Sequence, residues 1–225
     1  MKLPTKVAGA TTTTLIALFT AGISSAASIP VTNAGFEGLS LSYPSDYTLD
    51  NIPGWSHQGL CSTFWPTITQ GGDFPQGIPE GLQVAAVSGG ASISQTLTTV
   101  LAADTQYTLL VGIGNRAGFY SGGYTVSLSA GGTVLATDSS QTPGAGLFAT
   151  STISYHSPST GAAIGSALAI TLYATGPGEQ AEFDDVRLFT GTSGAATPEP
   201  GTWVLLAAGA GGLVPWLYRK RRFNA

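Results

Sequence analysis

The chain has 225 residues, of which 43% are hydrophobic and only 9% charged, with 31 glycines, 13 prolines and a formal net charge of −4. Two of the eight basic residues lie near the start and four cluster near the end, so the roughly 170 residues between hold only Arg116 and Arg187 against eleven carboxylates, a net charge of about −9. A nucleic-acid partner requires a basic surface and is excluded, and the single cysteine, Cys61, excludes an intramolecular disulfide.

In chain order, Lys2 and Lys6 precede an apolar run over 7–23 that closes on Ser24-Ser25-Ala26-Ala27. A positive start, a short apolar stretch and small residues at the cleavage positions make residues 1–27 a secretory signal peptide, so the chain is expected to be exported. Residues 28–189 then form one domain, acidic enough to suit divalent cations or neutral sugars. The segment 38–79 carries Pro44, Pro53, Pro66, Pro75 and Pro79 with several aromatics, and reads as long loops on a rim. Beyond it, period-2 alternation recurs: Tyr107, Leu109, Val111 and Ile113; Tyr124, Val126 and Leu128; Leu168, Ile170 and Leu172. Further strands are expected over 82–87, 91–98, 133–137, 147–154 and 181–189, separated by Gly-rich turns such as Ser88-Gly89-Gly90. The expected fold is all-β, an antiparallel jelly-roll β-sandwich. Residues 190–197 read as a flexible linker.

The tail, 198–225, joins Pro198-Glu199-Pro200 to an uncharged, mainly apolar run over 201–218 and then to Arg219-Lys220-Arg221-Arg222. As a helix, 18 residues would cover roughly 27 Å, close to a bilayer's hydrocarbon thickness of about 30 Å. The cations would stay on the cytoplasmic side. These three parts resemble the PEP-CTERM sorting signal, a tail also classed as the ice-binding protein C-terminal type. That resemblance implies an exosortase as processing partner beside signal peptidase, an inner-membrane anchor, and release to the cell surface or an extracellular matrix.

A second resemblance rests on Asn33-Ala34-Gly35-Phe36-Glu37, Gly54-Trp55, Tyr107-Thr108-Leu109 and Phe183-Asp184-Asp185-Val186-Arg187-Leu188. Together they resemble galactose-binding-like jelly rolls, including carbohydrate-binding modules of the family 4/9 type. The resemblance implies a structural Ca²⁺ held by Glu37 with Asp184 or Asp185; adjacent strand residues face opposite sides, so both aspartates are not expected on one ion. Sugar recognition needs flat apolar faces beside polar groups. Tyr43, Tyr47, Phe64, Trp65, Phe74, Phe119 and Tyr120 fall in expected loops, and Trp65, Phe64, Asn115, Arg116 and Tyr120 are the candidate carbohydrate-binding residues, Trp65 foremost.

Catalysis has little support in the sequence. Cys61 with His57 or His156 would make a nucleophile and base, but a lone cysteine reads as an inert buried residue. No Gly-x-Ser-x-Gly or phosphate loop occurs, and Gly112-x-Gly114-x-x-Ala117 is a turn. The sequence therefore points to a non-enzymatic, carbohydrate-binding envelope or matrix protein. A purely structural matrix protein and a glycan-active hydrolase, whose carboxylate pair has no spacing to test, stand as alternatives.

Overall fold

The computed structural model describes residues 26–42, 46–119, 121–176 and 180–191. Twelve strands are present among them: β1 (Ala27–Ile29), β2 (Tyr47–Leu49), β3 (Ser56–Gln58), β4 (Cys61–Phe64), β5 (Val84–Ser88), β6 (Ser92–Val100), β7 (Gln106–Asn115), β8 (Tyr124–Ala130), β9 (Thr133–Asp138), β10 (Leu147–His156), β11 (Ala167–Ala174) and β12 (Gln180–Thr190). Every ladder between them is antiparallel. One sheet runs β3-β6-β11-β8-β9; the other runs β10-β7-β12-β5-β4-β2, with β1 also paired to β12. No helix among the described residues is long and apolar enough to cross a membrane, and the tail motif, Pro198, Glu199, Pro200, Arg219, Lys220, Arg221 and Arg222, lies outside those residues.

The smaller sheet keeps the alternation seen in the sequence. In β8, Tyr124, Val126, Leu128 and Ala130 are buried while the residues between them are not, and they meet Leu168, Ile170 and Leu172 of β11 within the core between the sheets. The larger sheet differs. Alternate residues of β5 and β12, Ala85, Val87, Ala181 and Phe183, join that central core, whereas Val84 and Ala86 on the opposite face of β5 join Phe64 and Phe74 in a second buried cluster. The larger sheet is thus covered on both faces around β4 and β5, and those two strands lose the inside-outside alternation that would mark them out.

The outer cover is the segment after β4. Its fully buried Phe74 packs its ring 4.6 Å from that of Phe148, and carboxylates fasten it from end to end. Asp73 accepts from the Thr67 N–H and hydroxyl, Asp184 Oδ2 from the Glu80 N–H, and Glu37 Oε1 from the N–H groups of Leu82 and Gln83. These bonds satisfy backbone donors that the strap would otherwise bury unpaired. Segment 38–79 is therefore not the run of rim loops expected from its prolines, because β2, β3 and β4 lie inside it and β4 is buried throughout.

Candidate active site

The register of the outer face builds a site. Tyr47 pairs with Phe64 and Leu49 with Ser62, Ser62 with Ala86, and Ala86 with Glu182. One row therefore crosses from Leu49 to Glu182, and Ala86, with only a methyl group, leaves space along it. Two strand spacings, roughly 10 Å, separate Ser62 from Glu182. Over this row lies a cavity of about 320 Å³, lined by Tyr47, Leu49, Ser62, Phe64, Arg116, Phe119 and Gln180. Gln180 is two residues from Glu182 on the same face of β12.

Arg116, just after β7, is held on three sides. Its Nε donates to Asp73 Oδ1 at 2.6 Å, and its guanidinium lies 4.6 Å from the centroid of Phe64 and 4.0 Å from that of Phe119. This places a cation over the faces of two aromatic rings. Burial raises the Asp73 pKa, but its bonds from Thr67 and Arg116 outweigh that and hold the carboxyl below its ordinary value.

Glu182 is only 1% exposed. Its Oε2 accepts the Arg116 N–H at 3.2 Å, while Oε1 is buried with no hydrogen-bond partner among the described residues. Burial pushes the carboxyl up to about 7, against the opposing pull of the Arg116 N–H and guanidinium. A carboxylate normally ionises near 4, so this group exchanges a proton near neutrality. Gly114 makes room for it: a Cβ there would stand 2.9 Å from Glu182 Cβ and 2.7 Å from Phe148 Cζ.

Of the candidate carbohydrate-binding residues, Phe64 and Arg116 meet in the cavity. Trp65 does not line it, and its backbone N–H donates to the Asp46 carbonyl. Asn115 faces a separate cavity of about 180 Å³ and donates its amide to the Pro143 carbonyl; Tyr120 lies outside the described residues. Glu182 and Gln180 were missed as site residues. The available signal was a glutamate flanked by Ala181 and Phe183, in the same stretch whose Asp184 and Asp185 read as metal ligands instead.

Glu37, Asp184 and Asp185 do come near one another, joined by Glu80. A β-bulge between Asp184 and Arg187, with Asp185 at φ 48°, breaks the strand alternation that should have kept the two aspartates apart. Burial raises Glu80, and Glu37 and Asp185 raise it further; burial, with Glu80 and Asp185 adding to it, pushes Asp184 up to about 8. All four donors are hard carboxylate oxygens, the chemistry Ca²⁺ takes. As placed, however, no three of them are grouped to hold an ion among the described residues, and Asp185 pairs with Arg187 at 2.9 Å.

Cys61 is buried and burial pushes its thiol up to about 11, while His57 Nδ1 faces the Gly59 carbonyl and Asp50. That pair is no nucleophile and base.

A family model described as HpiC1-like, HpiC1 cyclase, matches residues 27–189. Among solved structures, a Stig cyclase from Fischerella sp. TAU, in complex with (3Z)-3-(1-methyl-2-pyrrolidinylidene)-3H-indole, is 32% identical with a TM-score of 0.67, covering 74% of this chain and 98% of that one. A cyclase from the same organism in complex with 4-(1H-indol-3-yl)butan-2-one is 31% identical with a TM-score of 0.65, over 73% and 97%. No curated protein matches the chain.

These similarities overturn the reading of a non-enzymatic, carbohydrate-binding matrix protein. They also leave the PEP-CTERM and ice-binding assignments, and the exosortase, membrane and polysaccharide partners, without support. The physical reason lies in what the short motifs do. Phe36 and Trp55 pack in the core with centroids 5.5 Å apart, the Tyr107 hydroxyl accepts the Ala102 N–H, and Asp184 holds the strap. They specify a sandwich framework. With its match over 27–189 and its identity across nearly the whole of a solved cyclase, the chain belongs to the HpiC1-like cyclase family.

Proposed function

We propose that this protein cyclises a small, flat, largely apolar molecule by acid catalysis, with Glu182 as the proton donor. The observation that carries the reading is the buried Glu182 carboxyl, raised to about 7, with one oxygen unpartnered among the described residues, on the same face of β12 as Gln180, which lines the aromatic cavity. A protonated Glu182 delivers its proton to an electron-rich carbon of the substrate. The resulting cation is attacked by an alkene of the same molecule, forming the new C–C bond, and loss of a proton restores the acid. The net change is an isomerisation without a co-reactant. The half-exposed Phe119 ring offers an aromatic surface to the cation on the way. Indole compounds are the probes of choice, because the similar cyclases were solved with them.

The test is incubation of the full chain in D₂O with indoles bearing a side-chain alkene. The expected product has the substrate's composition, one new ring and deuterium at the protonated carbon; Glu182→Gln lowers its formation by about 10²-fold or more. Unchanged turnover in Glu182→Gln would overturn the assignment.

Three further readings accompany this one. The sandwich is taken to be a jelly roll of the galactose-binding-like type. The leader over 1–27 exports the chain, and an intact mass beginning near Ala27 after export would support it. Glu37, Asp184 and Asp185, with Glu80, hold a structural Ca²⁺ that ties the first loop to the last strand and relieves the repulsion among them. Millimolar Ca²⁺ should then raise the melting temperature by several degrees and EDTA reverse it; an unchanged melting temperature would rule the ion out.

A further inference from the structure

We infer that the substrate of this cavity carries an anionic group, a carboxylate or its equivalent, which Arg116 recognises. This rests on the reading of the cavity as the substrate site and narrows it to a chemical class. The distribution of charge is the first argument. The body of the chain holds two cations, Arg116 and Arg187, and eleven carboxylates, yet among the described residues the cavity lining includes one of those cations and no carboxylate, Glu182 being buried behind it. A strongly acidic domain has thus kept a positive group at the position where a ligand would sit. Left to itself, the acidic surface would repel an anion.

The geometry of the guanidinium is the second argument. Among the described residues its hydrogen bonds and ion pairing run through Nε alone, to Asp73. The Phe64 and Phe119 rings lie against the guanidinium, and its two terminal amino groups have no hydrogen-bond partner among the described residues. That planar fork matches the two oxygens of a carboxylate. Asp73 and the two rings hold the fork in place before any ligand arrives, so little side-chain freedom is lost on binding. The other polar groups of the lining, Ser62 and Gln180, are neutral and would not oppose a negative charge.

The test uses two probes of nearly equal shape. 3-(1H-Indol-3-yl)propanoate differs from 4-(1H-indol-3-yl)butan-2-one, the ligand in the similar cyclase, by an oxygen anion in place of a methyl group. Calorimetric titration of the full chain should show the propanoate binding at least about 10-fold more tightly at low salt. The preference should shrink as salt rises from about 20 to about 500 mM, roughly a 25-fold increase that screens the charge while leaving the ketone's affinity unchanged. Arg116→Gln should bring the two affinities together, and Arg116→Lys should keep part of the gap. Equal affinities in the wild type, or a preference that survives Arg116→Gln, would overturn the inference and leave the cavity as an apolar site. Binding of neither probe would overturn the cavity reading as well. The salt series on the unaltered protein decides the matter if the Arg116 variants fail to fold.

Discussion

Replacing Glu182 by glutamine should make the protein's stability depend less on pH, by an amount set by the burial of that one carboxyl. In the folded chain the group is raised from 4.5 to about 7; in the unfolded chain it returns to its ordinary value. Below about pH 4.5 it is protonated in both states and costs nothing. As pH rises, the unfolded chain ionises first, so folding loses stability until the folded carboxyl also ionises near 7. Above that the cost is constant, about 3 kcal/mol at 1.36 kcal/mol per pH unit. Glutamine cannot ionise, but it sets an amide where Oε1 has no partner among the described residues, a cost of about 1–2 kcal/mol at every pH. The variant should therefore be less stable than the wild type at pH 4 and more stable at pH 8. Between those values the difference changes by about 3 kcal/mol. Urea unfolding of both proteins at the two pH values measures it, and the contribution of Asp184, common to both, cancels. A difference independent of pH would refute the raised carboxyl and, with it, the reason for assigning Glu182 the proton.

The remaining expectations concern its surroundings. Gly114→Ala drives a methyl group into Phe148 and Glu182 and should cost about 1–3 kcal/mol in thermal or urea unfolding. Phe119 is half exposed, so Phe119→Ala should change stability little while weakening indole-probe binding by about 3- to 10-fold in calorimetry, the worth of one aromatic stacking face. Asp73, held below its ordinary pKa, contributes stability above about pH 4 that is lost as pH falls through its lowered value. Asp73→Asn should thus lose about 1–2 kcal/mol at pH 7 and approach the wild type as pH falls through the lowered value; a loss equally large at every pH would refute the charged pairing.

The sequence by itself determined the all-β class and where eight of the strands run. Each of those eight, β5 to β12, overlaps a stretch expected to be extended; alternation made the strands around Tyr107, Tyr124 and Leu168 plainest. It also made visible the acidic body with two cations. Strand β4 escaped notice because the sheet containing it is buried on both faces, which erases the period-2 signal in Cys61–Phe64. The site escaped for a related reason. Leu49, Ser62, Ala86 and Glu182 lie far apart in the chain, and only strand register sets them in one row. The same tertiary packing decided the chemistry. Glu182 stands beside Asp184 and Asp185 in the sequence, but burial next to Arg116 and Gly114 removes it from water and raises its pKa, while Asp184 was taken up by the strap and Asp185 by Arg187. Desolvation depends on which surfaces close over a group, and those surfaces come from β4, β5, β7 and the segment that crosses them.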